Sequence, residues 1–486
     1  MPGFHIENFG CRAARADGEA IGNRLLAGGL VESSSHAADL VVINTCSVTA
    51  EADREARASI RRVHRRNPAA KIVVTGCYAQ RAPEELAAIA GVSAVVGNSH
   101  KALAPGIALN LLQSPAQSLP AASPLVNIAP AQSASTRAQG FLHLRGLPAA
   151  QAASAPPQMV WADDRFAHSF LEDAQLAPGE QTRPNLKIQE GCGNRCTFCV
   201  IPFTRGPSRS LSRAAIFAQV ESFIAAGGKE LVLSGINLGR WGADFPGAER
   251  DSLASLVRDL LLRTSLPRLR LSSIEPMDWN DDLIALMRDF GGSRLARHAH
   301  LPLQSGSDAV LRRMHRRYRP WHYAEKVAAL LRAAGPDLTL GADVMVGFPG
   351  ETDAGFDETV TFLRSLPFGY LHLFPFSPRP GTPGWSLHSE SPVPPVVMGE
   401  RVAVLRELAA EISRAHRLRF VGHNLEAITL NTPAALAADG RTSALTENFL
   451  PVEIEGCLPA NELINLRVEN LNAASTLLAS ASLHTV

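Results

Sequence analysis

Short apolar runs alternate with amphipathic stretches over the first hundred residues of the chain. The β-branched runs HIENF, DLVVINT and AKIVVTG, with a weaker fourth run at SAVVG, predict strands. The stretches between them predict helices over residues 17–28, 50–66 and 83–90. Because strands that alternate with helices are typical of βαβ units, we expect a parallel α/β domain over residues 1–113.

Residues 114–180 have a different composition. Pro, Ala, Ser and Gln dominate residues 114–158, and neither Asp nor Glu occurs between Lys101 and Ala162. This composition is typical of a linker with little structure of its own. We therefore expect a plain tether here, although the segment FLHLRG has the pattern of a strand that pairs with a sheet edge.

The alternation of strands and helices resumes after residue 181. Six strand candidates are separated by helical runs: NLKIQ, KELVLSG, LRLSSI, HAHLPLQ, LTLGADVMV and YLHLFPF. Six successive β/α units in roughly 200 residues predict a partial (β/α)6 barrel over residues 181–420. A flat, doubly wound sheet is the competing architecture.

The pattern changes again near residue 425. Apolar and polar positions alternate in LEAITLN, TSALTENFLPVEIEG and ELINLRVEN, and no helical run separates them. This pattern predicts a small antiparallel β domain, a barrel or a sandwich, over residues 421–486.

Composition excludes some classes of protein. Hydrophobic residues make up 46% of the chain, which argues against general disorder, and the net charge is only +1. Any basic surface for nucleic acid must therefore be local. The sequence contains no run of 18 apolar residues and no pattern of a secretory signal, and it has only seven cysteines. We expect a cytoplasmic protein with reduced thiols and no membrane contact.

Six of the seven cysteines fall into two sets of three. Cys192, Cys196 and Cys199 form C-x3-C-x2-C in GCGNRCTFCVIP, directly after the first barrel strand. Cys11, Cys46 and Cys77 are dispersed, but each follows a predicted strand. Because the carboxyl ends of parallel strands share one edge of a sheet, the dispersed thiols can converge as well.

Three thiols favour an iron–sulfur cluster over zinc. Structural zinc needs four protein ligands, and no His or Cys occurs between Cys199 and His298. A four-iron cluster held by three cysteines leaves one iron open to another molecule. For the dispersed set, taken alone, three ordinary core cysteines are an equal alternative.

The stretch KIQEGCGNRCTFCVIPFTRGPSRS resembles the cluster-binding loop of radical S-adenosylmethionine (SAM) enzymes. The domain before it resembles that of the methylthiotransferases in this superfamily. The segment NTCSVTAEADREARASIRRVHRRNPAAKIVVTGCYAQ is most similar to the branch that acts on N6-threonylcarbamoyladenosine at tRNA position 37. One motif departs from the family, because RAARADGE follows Cys11 where Lys, Asn and Gln are common.

The resemblance implies two [4Fe–4S] clusters, SAM and a tRNA substrate. Cys192, Cys196 and Cys199 would hold the cluster that binds SAM, and Cys11, Cys46 and Cys77 a second cluster that supplies sulfur. A 5′-deoxyadenosyl radical is expected to act at adenine C2, where the methylthio group is inserted. An electron donor such as a flavodoxin or ferredoxin is implied, and the C-terminal segment resembles a TRAM domain, a small RNA-binding barrel.

Loops after the barrel strands provide candidates for SAM binding, and for each of them an ordinary turn or cap is an equal alternative. These candidates are Phe198, Gly235, Asn237, Ser273, Glu275, Gln304 and Gly347. Basic clusters at residues 61–66 and 312–319 fit RNA, although solvated helix faces have the same pattern. The substrate-binding candidates are Arg316, Arg317, Arg319 and Arg379.

Three alternative functions remain open at this point. Two of them change only the substrate, to isopentenyladenosine in tRNA or to an aspartate of a ribosomal protein. The third belongs to another class, a zinc- or iron-containing RNA-binding protein without catalysis.

Overall fold

The computed structural model describes residues 1–113, 159–168 and 182–481. The chain forms two units. The first unit holds the described residues up to His168 together with Phe198–Gly206 and Pro378–Trp385, and the second holds the other described residues. The segment FLHLRG lies outside the described residues.

A six-stranded parallel sheet forms the centre of the first unit. Its strands are β1 (Gly3–Asn8), β2 (Val31–Glu32), β3 (Leu40–Thr45), β4 (Lys71–Gly76), β5 (Val92–Gly97) and β6 (Met159–Trp161). They lie in the order β2-β1-β3-β4-β5-β6. All six residues of β3 are buried, as expected for a parallel strand with both faces covered. The prediction of a parallel α/β domain is confirmed.

Helices follow the strands of this sheet. They are α1 (Arg12–Ala27), α2 (Ala50–Arg66), α3 (Cys77–Arg81), α4 (Pro83–Ala87) and α5 (Ala104–Gln113). In α2 the hydroxyl of Thr49 accepts the amide of Ala52, acidic residues occupy the first turn and basic residues the last. Ala56, Ile60 and Val63 lie on one face of α2 and join the core of the sheet.

Strand β6 lies within the segment predicted to be a linker. It pairs in parallel with β5 through Met159, Val160 and Trp161. The predicted linker 114–180 therefore contains a strand at residues 159–161, directly after the part rich in Pro, Ala, Ser and Gln. The unpaired amides and carbonyls at the edge of β5 bind this short apolar segment.

Six parallel strands of the second unit alternate with helices. The strands of this region are β7 (Asn185–Glu190), β8 (Arg209–Ser210), β9 (Glu230–Gly235), β10 (Arg268–Leu271), β11 (His298–His300), β12 (Thr339–Val346) and β13 (Phe368–Pro375), of which β8 is antiparallel. They form the sheets β10-β9-β7-β8 and β11-β12-β13, and bridges at Leu269–Leu295 and Ser273–His300 join the two. Consecutive parallel strands are neighbours throughout, so the partial (β/α)6 barrel is confirmed over the doubly wound sheet.

The helices that follow β7 complete this architecture, except that the short helix in Phe198–Gly206 and the first residues of the helix that begins at Pro383 belong to the first unit. They are α6 (Ile201–Arg205), α7 (Arg213–Ala225), α8 (Leu253–Arg263), α9 (Asp281–Phe290), α10 (Asp308–Arg313), α11 (Pro320–Ala334), α12 (Asp353–Ser365), α13 (Pro383–Glu390) and α14 (Pro395–Leu418). Within the described part of the chain, no helix has both the length and the apolar character needed to span a bilayer.

A closed five-stranded barrel ends the second unit. Its elements are β14 (Asn424–Thr429), α15 (Ala434–Ala438), β15 (Arg441–Thr446), β16 (Pro451–Glu455), β17 (Leu463–Leu471) and β18 (Leu477–Ala481), with the strand order β14-β15-β16-β18-β17. The predicted small β barrel is confirmed, although sequence reasoning missed β18. This strand pairs with both β16 and β17 and removes the last open edge.

Buried charge joins this small barrel to the larger one. Burial raises the pKa of Glu230, but Arg270 and its neighbours outweigh that effect and lower the pKa to about 2. Arg270 also donates to the carbonyl oxygen of Thr446 at 3.2 Å, and Arg268 forms ion pairs with Glu230 and Glu426. Charged contacts with the C-terminal barrel therefore cover strands β9 and β10 at their amino-terminal ends.

Candidate metal centres and active site

Three cysteines lie at the carboxyl ends of three neighbouring strands in the first unit. Cys11 lies three positions after the last residue of β1, Cys46 follows β3 directly and Cys77 follows β4 directly. Neighbouring strands are roughly 5 Å apart, so these thiols share one edge of the sheet. Gly10 has a φ of +106°, and a Cβ there would lie 3.0 Å from the Cys46 sulfur. The loops that carry Cys11 and Cys46 are therefore in contact.

Burial favours the protonated form of one of these thiols. Cys46 and Cys77 are buried, whereas Cys11 is exposed. Burial, followed by the charge of Cys77, raises the pKa of Cys46 to about 12. Because the thiolate is the form that binds metal, the cluster itself must supply the positive charge that stabilises it. Three cysteine sulfurs can hold a four-iron cluster and leave one iron open to another molecule.

Two N–H groups are directed at the sulfur of Cys77. Asn98 Nδ2 lies 3.4 Å from this sulfur and Arg205 Nε lies 3.3 Å from it. Arg205 also lies 3.2 Å from the carboxylate of Asp17, which binds Lys101 Nζ at 2.5 Å. Asp17, Lys101 and Arg205 are all buried. Such donors stabilise negative charge on a ligating sulfur, so the residues present fit an anionic cluster.

The compact cysteine motif begins directly after β7. Cys192 and Cys196 lie in the loop that follows this strand, and all three cysteines of the motif are partly buried. Cys199 belongs to the segment Phe198–Gly206 of the first unit. Gln189 holds the start of the loop, because its side-chain amide donates to the carbonyl oxygens of Glu190 and Gly191 at 2.9 and 2.8 Å.

Two of the predicted SAM residues adjoin this loop. The backbone amide of Asn237 donates to Gln189 Oε1 at 2.7 Å, and its side-chain Nδ2 lies 3.6 Å from the Cys192 sulfur. At Gly235, a Cβ would lie 2.9 Å from the Cβ of Gln189, so a larger residue would displace the loop. Asn237 thus contacts a cluster ligand and Gly235 permits the loop to pack.

Arg316, one of the predicted substrate-binding residues, lies inside the protein beside the cysteine loop. Its side chain is buried, and it donates to the Cys196 sulfur at 3.1 Å, to Glu275 at 2.5 Å and to the hydroxyl of Tyr318 at 3.1 Å. Each nitrogen of its guanidinium therefore has a partner inside the protein, and substrate binding by Arg316 stays a prediction. Glu275, predicted to bind SAM, is held beside the cysteine loop by this arginine.

The other SAM candidates occupy strand ends. Ser273 Oγ lies 3.0 Å from Nδ1 of His300, and Phe198 is partly buried directly before Cys199. Gln304 has a φ of +67°, and its backbone N–H donates to the backbone carbonyl oxygen of Asp343. These three positions stay predictions as SAM contacts.

Gly347, whose contact with SAM stays a prediction, shapes the turn after β12. Its backbone amide donates to Glu351 Oε2 at 2.9 Å, and its φ is +76°. The amide is therefore not available to a ligand. Gly347 serves the turn after β12, where only glycine adopts this conformation without strain.

The remaining RNA candidates separate by exposure. Arg317 is exposed, whereas Arg319 forms an ion pair with Asp308 at 3.1 Å. Arg379 is only 3% exposed and forms an ion pair with Asp53 in the first unit. Its guanidinium is buried in this ion pair, and contact between Arg379 and substrate stays a prediction.

Sequence reasoning missed a polar cluster on the barrel strands. His300 of β11, Asp343 of β12 and His372 of β13 place their donor atoms within 4.8 Å of one another, and we call them the His–Asp–His cluster. The three residues are far apart in sequence and lie within strands that read as apolar runs. Their one local signal, a charged or titratable residue inside a barrel strand, does not tell which side of the strand it occupies.

Two family models match this chain. The model described as "Uncharacterized protein family UPF0004" matches residues 3–97, which contain the dispersed cysteines. The model of the radical SAM superfamily matches residues 186–363, which contain the compact motif and five strands of the larger barrel.

Curated relatives match over most of the chain. The threonylcarbamoyladenosine tRNA methylthiotransferase MtaB of Aquifex aeolicus is 32% identical over 95% of this chain and 99% of its own length. The MtaB of Bacillus subtilis is 33% identical over 93% of this chain and 90% of its own. The tRNA-2-methylthio-N(6)-dimethylallyladenosine synthase of Sorangium cellulosum is 32% identical over 88% and 82%.

Among solved structures, the radical SAM methyltransferase TsrM of Kitasatospora setae has a similar fold. The TM-score is 0.53 at 14% identity, over 79% of this chain and 77% of that one. This likeness supports the barrel architecture.

Proposed function

Because this chain belongs to the radical SAM methylthiotransferase family, we propose that it inserts a methylthio group at C2 of N6-threonylcarbamoyladenosine at position 37 of tRNA. The substrate named for the relatives from Aquifex aeolicus and Bacillus subtilis supports this choice. Coverage does not decide it, because the Thermotoga maritima relative of the same name covers 87% of this chain and the dimethylallyl relative from Sorangium 88%. Identity, at 32% for both, does not separate the two substrates.

The chain is therefore an enzyme, and the alternative of a non-catalytic metal-containing RNA-binding protein is wrong. The family uses SAM and two [4Fe–4S] clusters. We assign Cys192, Cys196 and Cys199 to the cluster that binds SAM, and the dispersed triplet Cys11, Cys46 and Cys77 to the second cluster. When bound, these groups supply radical chemistry at an unactivated C–H bond, which acid–base side chains cannot perform, together with the transferred sulfur.

The protein's own residues orient these groups. Arg316 holds one carboxylate oxygen of Glu275, so the other oxygen is presented in a fixed direction. In our assignment this oxygen accepts a hydroxyl of the SAM ribose, as carboxylates do in nucleotide sites. Asn237 and Arg316 donate to Cys192 and Cys196, which fixes the directions in which those sulfurs point.

We assign RNA binding to exposed basic residues and to the C-terminal barrel. Arg61, Arg65 and Arg66 on α2 and Arg317 after α10 are exposed, as phosphate contacts require. The five-stranded barrel is the part that resembles an RNA-binding module. A tRNA substrate favours a cytoplasmic location, and a flavodoxin or ferredoxin is the expected electron donor.

Mass spectrometry of tRNA nucleosides tests this function. A strain that lacks the gene is expected to lose 2-methylthio-N6-threonylcarbamoyladenosine and to regain it when the intact chain is expressed. Loss of the 2-methylthio derivative of the dimethylallyl or isopentenyl nucleoside instead would contradict the substrate assignment. Unchanged levels of both nucleosides would leave the ribosomal aspartate as the remaining substrate to test.

A further inference from the structure

The His–Asp–His cluster occupies three neighbouring strands of the larger barrel and takes no part in the cysteine sites. Asp343 Oδ1 lies 3.4 Å from Nε2 of His300 and 3.4 Å from Nδ1 of His372. The second nitrogen of His300, Nδ1, lies 3.0 Å from the hydroxyl of Ser273. Each histidine therefore has one ring nitrogen directed at the same carboxylate.

The cluster lies on the side of the sheet that faces away from α14. A Cβ at Gly369 would lie 2.6 Å from Thr339 Cγ2 and 3.0 Å from the ring of His416 in α14, so this position of β13 faces that helix. The ring of His372 lies on the other side, where its centroid is 5.0 Å from that of Tyr370 and 5.4 Å from that of His300. About half of the His372 side chain is exposed, at 52%, whereas His300 is buried. The cluster is therefore reached from solvent through His372.

The carboxylate of Asp343 determines which ring nitrogen of His372 faces a ligand. Burial raises the pKa of Asp343, but hydrogen bonds from His300 and His372 outweigh burial and hold the pKa well below its usual range. An ionised Asp343 fixes a proton on Nδ1 of His372. The other ring nitrogen, Nε2, points away from Asp343 and is the atom that a ligand meets.

The substrates named for the two kinds of relative differ in the polarity of the group on N6 of adenosine. A threonylcarbamoyl group carries a carboxylate and a hydroxyl, whereas a dimethylallyl group is entirely hydrocarbon. A hydrocarbon placed against the cluster would desolvate three polar side chains without giving them partners, which costs free energy. A carboxylate and a hydroxyl satisfy the same side chains.

We propose that the His–Asp–His cluster binds the threonyl part of N6-threonylcarbamoyladenosine and thereby selects it over adenosines with a hydrocarbon N6 group. His372 Nε2–H donates to the substrate carboxylate, and Asp343 accepts the threonyl hydroxyl. The proposal rests on the proposed function, and it adds the residues that decide between the two classes of substrate.

Binding of anticodon stem–loop RNAs by the reconstituted full chain tests this proposal. Fluorescence anisotropy would compare RNAs that carry N6-threonylcarbamoyladenosine, N6-dimethylallyladenosine or adenosine at position 37. A charge-assisted hydrogen bond is worth about 10- to 100-fold in affinity, so His372→Phe is expected to weaken binding of the first RNA by about that factor. The other two RNAs should bind as before. His36→Phe makes the same change at an exposed histidine of the first unit and should leave all three affinities unchanged.

A second variant keeps the test sharp if phenylalanine disturbs the barrel. His372→Gln retains an N–H donor without the charge, and it should lose less affinity for the threonylcarbamoyl RNA than His372→Phe. Iron content and the visible absorption of the clusters establish that each variant is folded and loaded. Equal weakening for all three RNAs, or none for any, would overturn the proposal.

Further results show whether the role of the His–Asp–His cluster or the proposed function itself is wrong. Zinc or manganese bound in a ratio of one per chain and lost in His372→Phe would replace the proposal with a metal site. Wild-type protein that methylthiolates only the dimethylallyl RNA would refute the proposed function itself. Wild-type protein that modifies the threonylcarbamoyl RNA, with unchanged selectivity in His372→Phe, would refute only the role of the cluster.

Discussion

The two cysteine triplets reach similar surroundings by opposite routes. In each site a buried arginine donates to a cysteine sulfur, Arg205 to Cys77 at 3.3 Å and Arg316 to Cys196 at 3.1 Å. In each, an asparagine amide lies near a sulfur, at 3.4 Å from Cys77 for Asn98 and at 3.6 Å from Cys192 for Asn237. A carboxylate holds each arginine.

The routes differ in how much of the geometry is local. The compact cysteines lie within eight successive residues, so the chain itself keeps them close. The dispersed cysteines are more than 30 positions apart, and only the strand order β1-β3-β4 makes them neighbours. Similar donors around unlike backbones indicate that N–H groups on sulfur meet a common requirement, the stabilisation of an anionic cluster.

The largest expected effect separates the roles of the two sites. Cys192→Ala should abolish SAM cleavage, because the cluster that binds SAM loses a ligand. Cys46→Ala should stop methylthiolation but keep uncoupled cleavage, measured as 5′-deoxyadenosine released per chain. The exposed Cys457 gives the control variant Cys457→Ala, which should retain both activities. Loss of SAM cleavage in both site variants, with the fold intact, would contradict this division of roles.

The carboxylates provide the next test, since they differ in burial. Asp17 is fully buried against Lys101 and Arg205, whereas the Glu275 side chain is 23% exposed. Asp17→Asn leaves two buried cations without their anion and should lower the free energy of unfolding by about 3 kcal/mol.

Glu275→Gln should cost about 1 kcal/mol, because water reaches that side chain. Urea unfolding of both apo variants measures the difference. Equal losses would mean that the two sites do not differ in burial as the structure has them.

The smallest effect concerns the arginine–sulfur contacts. Arg205→Lys keeps the charge but loses the planar fork that reaches Asp17 and Cys77 together. It should lower the affinity of the protein for the second cluster by about 10- to 100-fold. Arg316→Lys should lower only the affinity for the cluster that binds SAM. Iron content and electron paramagnetic resonance of the reduced protein distinguish the clusters. A loss of both clusters in either variant would mean that the arginines serve folding instead.

Several features were predictable because they are encoded locally. The strand and helix alternation, the (β/α)6 barrel and the compact motif follow from periodicity and spacing within short windows. The short strand β6 was not predictable, because an apolar segment of three residues forms a strand only where β5 offers it an edge.

Charged residues show that the sequence also does not reveal which group a side chain contacts. Arg316 and Arg379 lie in sequence surroundings that fit RNA contact, yet both are buried in polar contacts with distant residues. Arg205 is 128 positions from the Cys77 sulfur that it contacts. Sequence states that an arginine is present, but its partner depends on which strands and loops become neighbours.

The sequence by itself determined the order of the elements, the family and the six candidate cysteines, because hydrophobic periods and motif spacings act over a few residues. The tertiary structure alone decided that Cys11, Cys46 and Cys77 follow neighbouring strands, which arginine faces which sulfur, and that His300, Asp343 and His372 meet. These outcomes depend on strand order and on which side of a strand each residue occupies, and both are fixed only when the whole chain packs.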